Sequence, residues 1–210
     1  MARTMGARSA GHDEKRAALL QRMRERLIER NQPPPSLREL AAAAGVSVPT
    51  VRHYFGRRQD LVDALLEDFG IQGHIHLERI RRVDLPFAGS MAELAGMILA
   101  GLAFGVSEIH TLGLREGLRN DRTGPAYLTH VLEPTLQAIE FRLERHQERG
   151  EMRRSDTRVA AVGLLSPLII AHFHQHELGG SGLRPLDLQA FAREHVQSFV
   201  RAFSLSSDPH

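Results

Sequence analysis

Residues 36–61, SLRELAAAAGVSVPTVRHYFGRRQDL, decide how the first part of this 210-residue chain folds. Ser36 and Glu39 have the S-x-x-E spacing of a capping box, which predicts a helix that starts at Ser36. Gly45 follows this helix at the position where a glycine ends it, since glycine adopts a left-handed backbone at little cost. The stretch therefore predicts two short helices joined by a tight turn.

Ser47 is placed to cap the second helix, and Pro49 is tolerated because it falls in the first turn. Val51 and Phe55 share one face, which predicts that they are buried. The opposite face is polar and consists of Thr50, Arg52, His53 and Tyr54. In a helix-turn-helix the second helix enters the major groove of DNA, where such side chains donate to phosphates or base edges.

We therefore predict a DNA interface formed by the polar face of this helix and by its base-facing N-terminal end. The predicted contacts are Ser47, Val48, Pro49, Thr50, Arg52, His53 and Tyr54, with Arg58 at the start of the next helix. The alternative is an ordinary helical hairpin whose second helix is merely solvated, because short helix-turn-helix patterns give many false matches. Charge favours DNA: residues 1–60 carry a net charge of +6, whereas residues 61–210 carry −4.

The same stretch resembles the N-terminal domain of the tetracycline-repressor family of bacterial transcriptional regulators. The resemblance rests on Leu40-Ala41, Ala44-Gly45-Val46-Ser47, Thr50-Val51, Phe55, and a basic residue three places after Phe55, followed by Leu61. The chain departs from the family pattern at Arg52, where Tyr is usual, at Tyr54, where His is usual, and at Arg58, where Lys is usual. Each replacement still supplies a hydrogen-bond donor that can contact a DNA phosphate. The resemblance therefore implies DNA binding but no particular base preference.

Composition excludes several other classes of protein. There is no cysteine, and hence no disulfide framework, thiolate metal site or cysteine nucleophile. No uninterrupted apolar run reaches the ~18 residues of a membrane span, and the charged N-terminus lacks the apolar core of a secretory signal. We expect a cytoplasmic protein with no membrane association.

Helical periodicity without any strand pattern predicts an all-α chain. We expect a three-helix helix-turn-helix domain over residues 13–57, and a larger helical domain for ligand binding and dimerisation over residues 58–204. The helix from Arg58 would connect them, with Gly70 and Gly73 as a soft point. Ser90 and Glu93 repeat the capping-box spacing and predict another helix start.

Between Met91 and Arg119 the chain is rich in Met, Phe and Leu and is interrupted by glycines. This composition favours a cavity for a small apolar effector, although close helix contacts explain the glycines equally well. The candidate lining residues are Met97, Phe104, His110 and His130. The family resemblance supplies the idea of an effector.

As in the family, the last two helices are the predicted homodimer interface. Their apolar faces include Leu164, Leu168, Phe191, Phe199 and Phe203, and the alternative is that these residues are simply core.

His172 and His176 would share a helix face, with His174 between them, but the sequence offers no obvious third ligand. We therefore expect no metal site and no cofactor.

Three functions compete. The first is a ligand-responsive regulator, a repressor that binds a palindromic operator as a homodimer. The second is a DNA-binding regulator without a small-molecule effector, acting as an activator or controlled by a protein partner. The third is an all-helical enzyme or binding protein whose N-terminal hairpin is structural. The positive charge of residues 1–60 and the family-like motif disfavour it, and no G-x-S-x-G, P-loop or H-E-x-x-H motif supports it.

Overall fold

The computed structural model describes residues 5–29 and 32–205, with side chains from residue 11 onward. These residues form helices and no β-strand, apart from one isolated bridge between Met152 and Ser204. The helices are α1 (Met5–Ile28), α2 (Leu37–Ala43), α3 (Val48–Phe55), α4 (Arg58–Arg81), α5 (Phe87–Gly101), α6 (Ser107–Gly117), α7 (Thr123–Tyr127), α8 (Glu133–Glu148), α9 (Thr157–His172), α10 (Gly180–Leu183) and α11 (Leu188–Phe203). Single π-helical segments follow α5, α7 and α9. The predicted all-α fold is confirmed.

The chain divides into two compact units, and the division does not follow the predicted boundary at residue 57. The N-terminal unit contains the residues up to 71 and a second segment, Glu108–His130. The C-terminal unit contains Gln72–Ser107 and the residues from Val131 onward. The N-terminal unit therefore consists of more than three helices, because it also includes most of α6 and all of α7.

In the N-terminal unit, glycines mark close approaches between helices. A Cβ atom on Gly113 of α6 would overlap the ring of Tyr127 in α7, and one on Gly117 would lie 3.0 Å from Cα of Gly124. The helix α4 runs unbroken through Gly70, where a Cβ atom would lie 2.6 Å from the carbonyl oxygen of His130. These glycines therefore reflect tight packing, and the interruption expected in α4 at Gly70 is absent.

The core of the C-terminal unit is formed by α5, α8, α9 and α11. Fully buried side chains on three of these helices, Met91 and Leu94 of α5, Ile139 and Leu143 of α8, and Leu164 and Leu168 of α9, pack together with Phe199 of α11. By length and composition, Phe87–Gly117 and Thr157–Glu177 would be long and apolar enough to cross a membrane. Core helices of soluble proteins have the same properties, and α5 and α9 supply much of this core.

A buried arginine links α5 to α8 inside this core. The Arg142 side chain is fully buried, and its Nε donates a hydrogen bond of 2.9 Å to Ser90 Oγ while Nη2 pairs with Glu93. His146 Nε2 also lies 2.8 Å from Ser90 Oγ, and its Nδ1 lies 2.7 Å from Glu151. Burial lowers the pKa of His146 below its usual value.

This network corrects the capping box predicted at Ser90 and Glu93. The helix α5 begins earlier, after Pro86, which makes no side-chain capping bond. Ser90 is therefore an internal, buried residue, and both members of the apparent motif hold Arg142 instead.

We predict that Ser90→Ala destabilises the protein by about 1–3 kcal/mol, because it removes a partner from the buried Arg142 guanidinium and leaves an unmet donor. Urea denaturation measures the change. Ser181→Ala is the matched control, since Ser181 is exposed on α10. Equal stability of the two variants would contradict the structural role assigned to Ser90.

Candidate nucleic-acid interface

The capping box that starts α2 forms as the sequence predicts. Ser36 Oγ accepts from the Glu39 amide at 3.3 Å, and Glu39 Oε2 accepts from the Ser36 amide at 2.7 Å. Glu39 also pairs with Arg26 of α1 at 2.9 Å. Led by the backbone hydrogen bond from Ser36, these contacts lower the pKa of Glu39 to about 2. The first two helices are thus joined at their ends.

The turn between α2 and α3 also has the predicted chemistry. Gly45 adopts a left-handed backbone with φ 67°, and the Val46 amide bonds to the Ala41 carbonyl at 3.0 Å. Ser47 caps α3: its Oγ accepts from the Thr50 amide at 3.2 Å. The start of α3 is therefore fixed by the Ser47 cap and by the turn that precedes it.

The recognition helix α3 has the two faces that the sequence predicts. Val51 and Phe55 are buried, whereas Arg52 and His53 are exposed and Tyr54 is half-buried. At the N-terminal end Ser47 and Pro49 are exposed, and Val48 and Thr50 are half-buried. The predicted contact residues of this helix therefore lie on an accessible surface, and their contacts with DNA stay a prediction.

Two residues of α1 extend this surface and were not predicted as part of the interface. The rings of His12 and Tyr54 have centroids 4.7 Å apart, and Lys15 Nζ lies 5.9 Å from the centroid of the Tyr54 ring. The helix α1 begins at Met5, before the predicted start of the domain at residue 13, which places His12 within a helix. The i, i+3 spacing of His12 and Lys15 predicts that they share one face of a helix. The sequence does not show that this face packs beside α3.

Arg58 is the exception among the predicted DNA contacts. Its guanidinium forms two hydrogen bonds of 2.8 Å with the carboxylate of Glu116, and its Nε donates to the Pro35 carbonyl at 2.6 Å. Arg58 therefore bonds to protein atoms within the N-terminal unit. The sequence predicted it as a contact to DNA and did not indicate these partners.

The four candidate effector residues are divided between the two units, with Met97 and Phe104 in the C-terminal unit and His110 and His130 in the N-terminal unit. Phe104 is 89% exposed and Met97 packs against the core of the C-terminal unit. His110 belongs to the N-terminal unit, is buried, and lies 2.6 Å from the Tyr127 hydroxyl, whose pKa is raised to about 12 by burial. His130 is half-buried in the same unit. The role of these four residues in effector binding stays a prediction.

A different concavity lies between α5 and α11 of the C-terminal unit. It has a volume of ≈ 420 Å³, which falls within the usual range for ligand pockets. Its lining combines small or apolar residues with long polar ones. The first group is Ala88, Ala92, Ala95, Gly96, Leu99, Ala192, Val196 and Val200, and the second is Gln189, Arg193, Gln197 and Arg201. We call it the α5/α11 groove.

The residues predicted for a dimer interface are mostly core. Leu164, Leu168 and Phe199 are buried within one chain, and Phe191 and Phe203 pack partly buried against the same cluster. The exposed apolar side chains of α9 are instead Val159, Val162 and Ile170.

His172 and His176 lie together with ring centroids 4.6 Å apart, but the described part of the chain shows no group of three or more metal-binding side chains.

Comparison with known proteins identifies the N-terminal region. Residues 27–65 match the family described as bacterial regulatory proteins, tetR family. No curated protein shows significant sequence similarity to the chain.

Solved structures show the same fold. A putative TetR-family transcriptional regulator from Mesorhizobium loti is 19% identical with a TM-score of 0.74, covering 92% of this chain and 98% of that one. A TetR transcription regulator from Haloarcula marismortui is 14% identical with a TM-score of 0.72, covering 92% and 100%. FadR from Bacillus subtilis, solved with stearoyl-CoA, is 16% identical with a TM-score of 0.67, covering 88% and 97%.

We predict that Arg52→Ala weakens DNA binding. If Arg52 contacts a phosphate, the slope of log K against log salt falls by about 0.9 for all sequences alike; if it reads a base edge, affinity falls by about 1–3 kcal/mol for the preferred sequence only. Fluorescence anisotropy over a salt series distinguishes these outcomes. Arg154→Ala, an exposed arginine of the C-terminal unit, is the charge-matched control. Equal binding by both variants would remove Arg52 from the interface.

Proposed function

We propose that the chain is a DNA-binding transcriptional regulator that binds a palindromic operator as a homodimer and responds to a small effector molecule. Support comes from residues 27–65, which match the tetR family, and from the fold shared with a TetR-family structure. The observation that carries the proposal is the exposed polar face of α3, capped at Ser47 and backed by buried Val51 and Phe55. A bound dimer covers its operator, so repression is the proposed mode of action. A cytoplasmic location follows from access to DNA.

In this proposal the N-terminal end of α3 approaches the bases. Ser47, Val48, Pro49 and Thr50 lie at that end, where side chains of a recognition helix meet base edges. Arg52, His53 and Tyr54 follow along the exposed face and supply donors to phosphates or bases. Lys15 adds a positive charge beside Tyr54.

The homodimer rests on two arguments. One recognition helix reads only a few base pairs, whereas a two-fold dimer reads an inverted repeat whose half-sites are spaced by about one helical turn, ~34–36 Å, or a multiple of it. The helix α9 also exposes an apolar stripe, with Val159 66%, Val162 40% and Ile170 63% exposed. This stripe replaces the buried residues named from the sequence as the proposed interface.

We predict that Ile170→Asp, combined with Val162→Asp, yields a monomer, because two desolvated carboxylates on a self-complementary face oppose association. Sedimentation velocity measures the mass. Ile75→Asp is the control, since Ile75 is 68% exposed on α4 outside the stripe. A wild-type monomer at micromolar concentration would contradict the dimer, and an unaffected dimer in the double variant would place the interface elsewhere.

The effector is the least constrained element of the proposal. FadR from Bacillus subtilis was solved with stearoyl-CoA, and another protein of the same fold is described as the flavonoid-responsive regulator FrrA. The α5/α11 groove offers this chain a largely apolar lining together with the positive charges of Arg193 and Arg201. We therefore propose a small ligand with an apolar body and an anionic group. Such a ligand acts only if it binds one conformation better than the other.

We predict that Gly96→Leu abolishes ligand binding, because a Cβ atom there meets no other atom within 4 Å and the side chain enters the α5/α11 groove. Thermal shifts with a panel of fatty acids and aromatic carboxylates measure binding. Gly73→Leu is the control, since its Cβ also meets open space, on α4. Shifts that survive in Gly96→Leu would exclude the groove. Ligands that bind but leave DNA affinity unchanged would favour a regulator without a small-molecule effector.

Selection of bound duplexes from a randomised pool tests the function as a whole. The proposal predicts enrichment of an inverted repeat, with affinity that falls steeply as salt rises. Enrichment of a single half-site would contradict the dimer, and failure to enrich any sequence would contradict specific DNA recognition.

A further inference from the structure

Arg58 and Glu116 form an ion pair that is largely enclosed by the N-terminal unit. The Arg58 side chain is 23% exposed and the Glu116 side chain 7%. The pairing is bidentate, with both nitrogen–oxygen distances 2.8 Å. This fork geometry fixes orientation as well as distance. The hydrogen bonds from Arg58 hold the pKa of Glu116 below its usual range, so the carboxylate is charged at neutral pH.

The same guanidinium reaches a third element. Arg58 Nε donates to the Pro35 carbonyl, directly before the Ser36 cap of α2. The neighbouring Arg115 Nη2 donates to the Leu27 carbonyl near the end of α1 at 3.1 Å, and Arg115 Nε lies 3.5 Å from Glu116. The end of α6 is therefore bonded to α1, to the segment before α2, and to α4.

A second set of contacts joins the start of α7 to the first turns of α4. Arg122 Nη2 donates to Asp60 Oδ1 at 3.0 Å, and Asp60 Oδ2 accepts from the Arg57 amide at 2.8 Å. Thr123 Oγ1 donates to Asp63 Oδ1 at 2.9 Å. Together with the ion pair, these contacts bond α6 and α7 to the first six residues of α4.

The start of α4 controls the end of the recognition helix. Only Gly56 and Arg57 separate Phe55, the last residue of α3, from Arg58. Gly56 adopts a positive φ of 78°, so a tight two-residue connection joins α3 to α4. A displacement of Arg58 therefore moves the C-terminal end of α3 directly.

We propose that Glu116 and Arg58 are positioning residues for DNA binding: their ion pair sets the placement of α3, and Arg58 is not a phosphate contact. The proposal rests on the DNA binding proposed above. Three of the five guanidinium donors of Arg58 are already used by protein acceptors. Glu116 thus supports DNA binding although it is acidic.

The sign of the effect separates positioning from plain electrostatics. Removing a negative charge near a DNA-binding surface strengthens binding if charge alone matters. Glu116→Gln should instead weaken binding to the selected inverted repeat about tenfold, because a neutral amide cannot hold the guanidinium in the same fork. The salt slope stays at the wild-type value.

Arg58→Lys is the second variant, and it distinguishes the two roles even if larger changes unfold the protein. A lysine keeps the charge that a phosphate contact needs but loses the bidentate geometry. Positioning predicts that Arg58→Lys weakens binding as much as Glu116→Gln, and that the double variant is no weaker than either, since the two changes remove one shared interaction.

Glu133→Gln is the matched control, because Glu133 forms an equivalent bidentate pair with Arg158 in the C-terminal unit, at 2.6 and 2.8 Å. It should leave DNA affinity unchanged. Urea denaturation of each variant shows that it is folded. Wild-type affinity in Glu116→Gln, tighter binding in Glu116→Gln, or wild-type affinity in Arg58→Lys would each overturn the proposal. If wild-type protein binds no duplex, the proposed function itself has failed.

Discussion

The placement of the DNA-binding helices depends on one bidentate ion pair, Arg58 to Glu116. Each partner is largely enclosed by protein. A charge that loses its partner in such an enclosed site is unfavourable, because the ion pair no longer offsets its desolvation. The start of α4 and the end of α6 therefore stay together, because separating them would leave two enclosed charges without partners. The helix α3 is attached to the α4 start through two residues and follows its position.

Both units use a buried or half-buried arginine to join helices distant in sequence. In the N-terminal unit Arg58 bonds to Glu116, 58 residues away, and to the Pro35 carbonyl. In the C-terminal unit Arg142 bonds to Ser90, 52 residues away, and to Glu93. Apolar burial supplies most of the driving force for such a fold. The arginines select which helices are neighbours, because a guanidinium needs acceptors at defined angles.

The local features of the helix-turn-helix were predictable because their causes are local. The Ser36–Glu39 capping box, the left-handed Gly45 and the Ser47 cap all involve residues within a few positions of each other. Ser90 and Glu93 have the same spacing as Ser36 and Glu39, yet they hold Arg142 inside the protein. The motif alone does not tell a helix start from a buried helix turn, since the difference lies in residues about 50 positions away.

The other differences between the sequence predictions and the structure have the same origin. Leu164 and Leu168 are apolar and helical in either a core or an interface, and only the packed structure shows that they are core. Phe104 precedes Gly105, whose φ of 104° interrupts the helix and leaves Phe104 exposed. Arg58 has the position of a phosphate donor in the family pattern, but the sequence does not show that Glu116 lies opposite it.

Native-state hydrogen exchange tests most directly whether residues 115–123 hold the recognition helix in place. The account predicts that the amides of α3 and those of residues 115–123 exchange through one shared opening with the same free energy. It also predicts that Glu116→Gln lowers that free energy for both segments together, whereas the core amides of α8 and α9 are unaffected. Exchange of α3 through a separate opening that Glu116→Gln leaves unchanged would contradict the account.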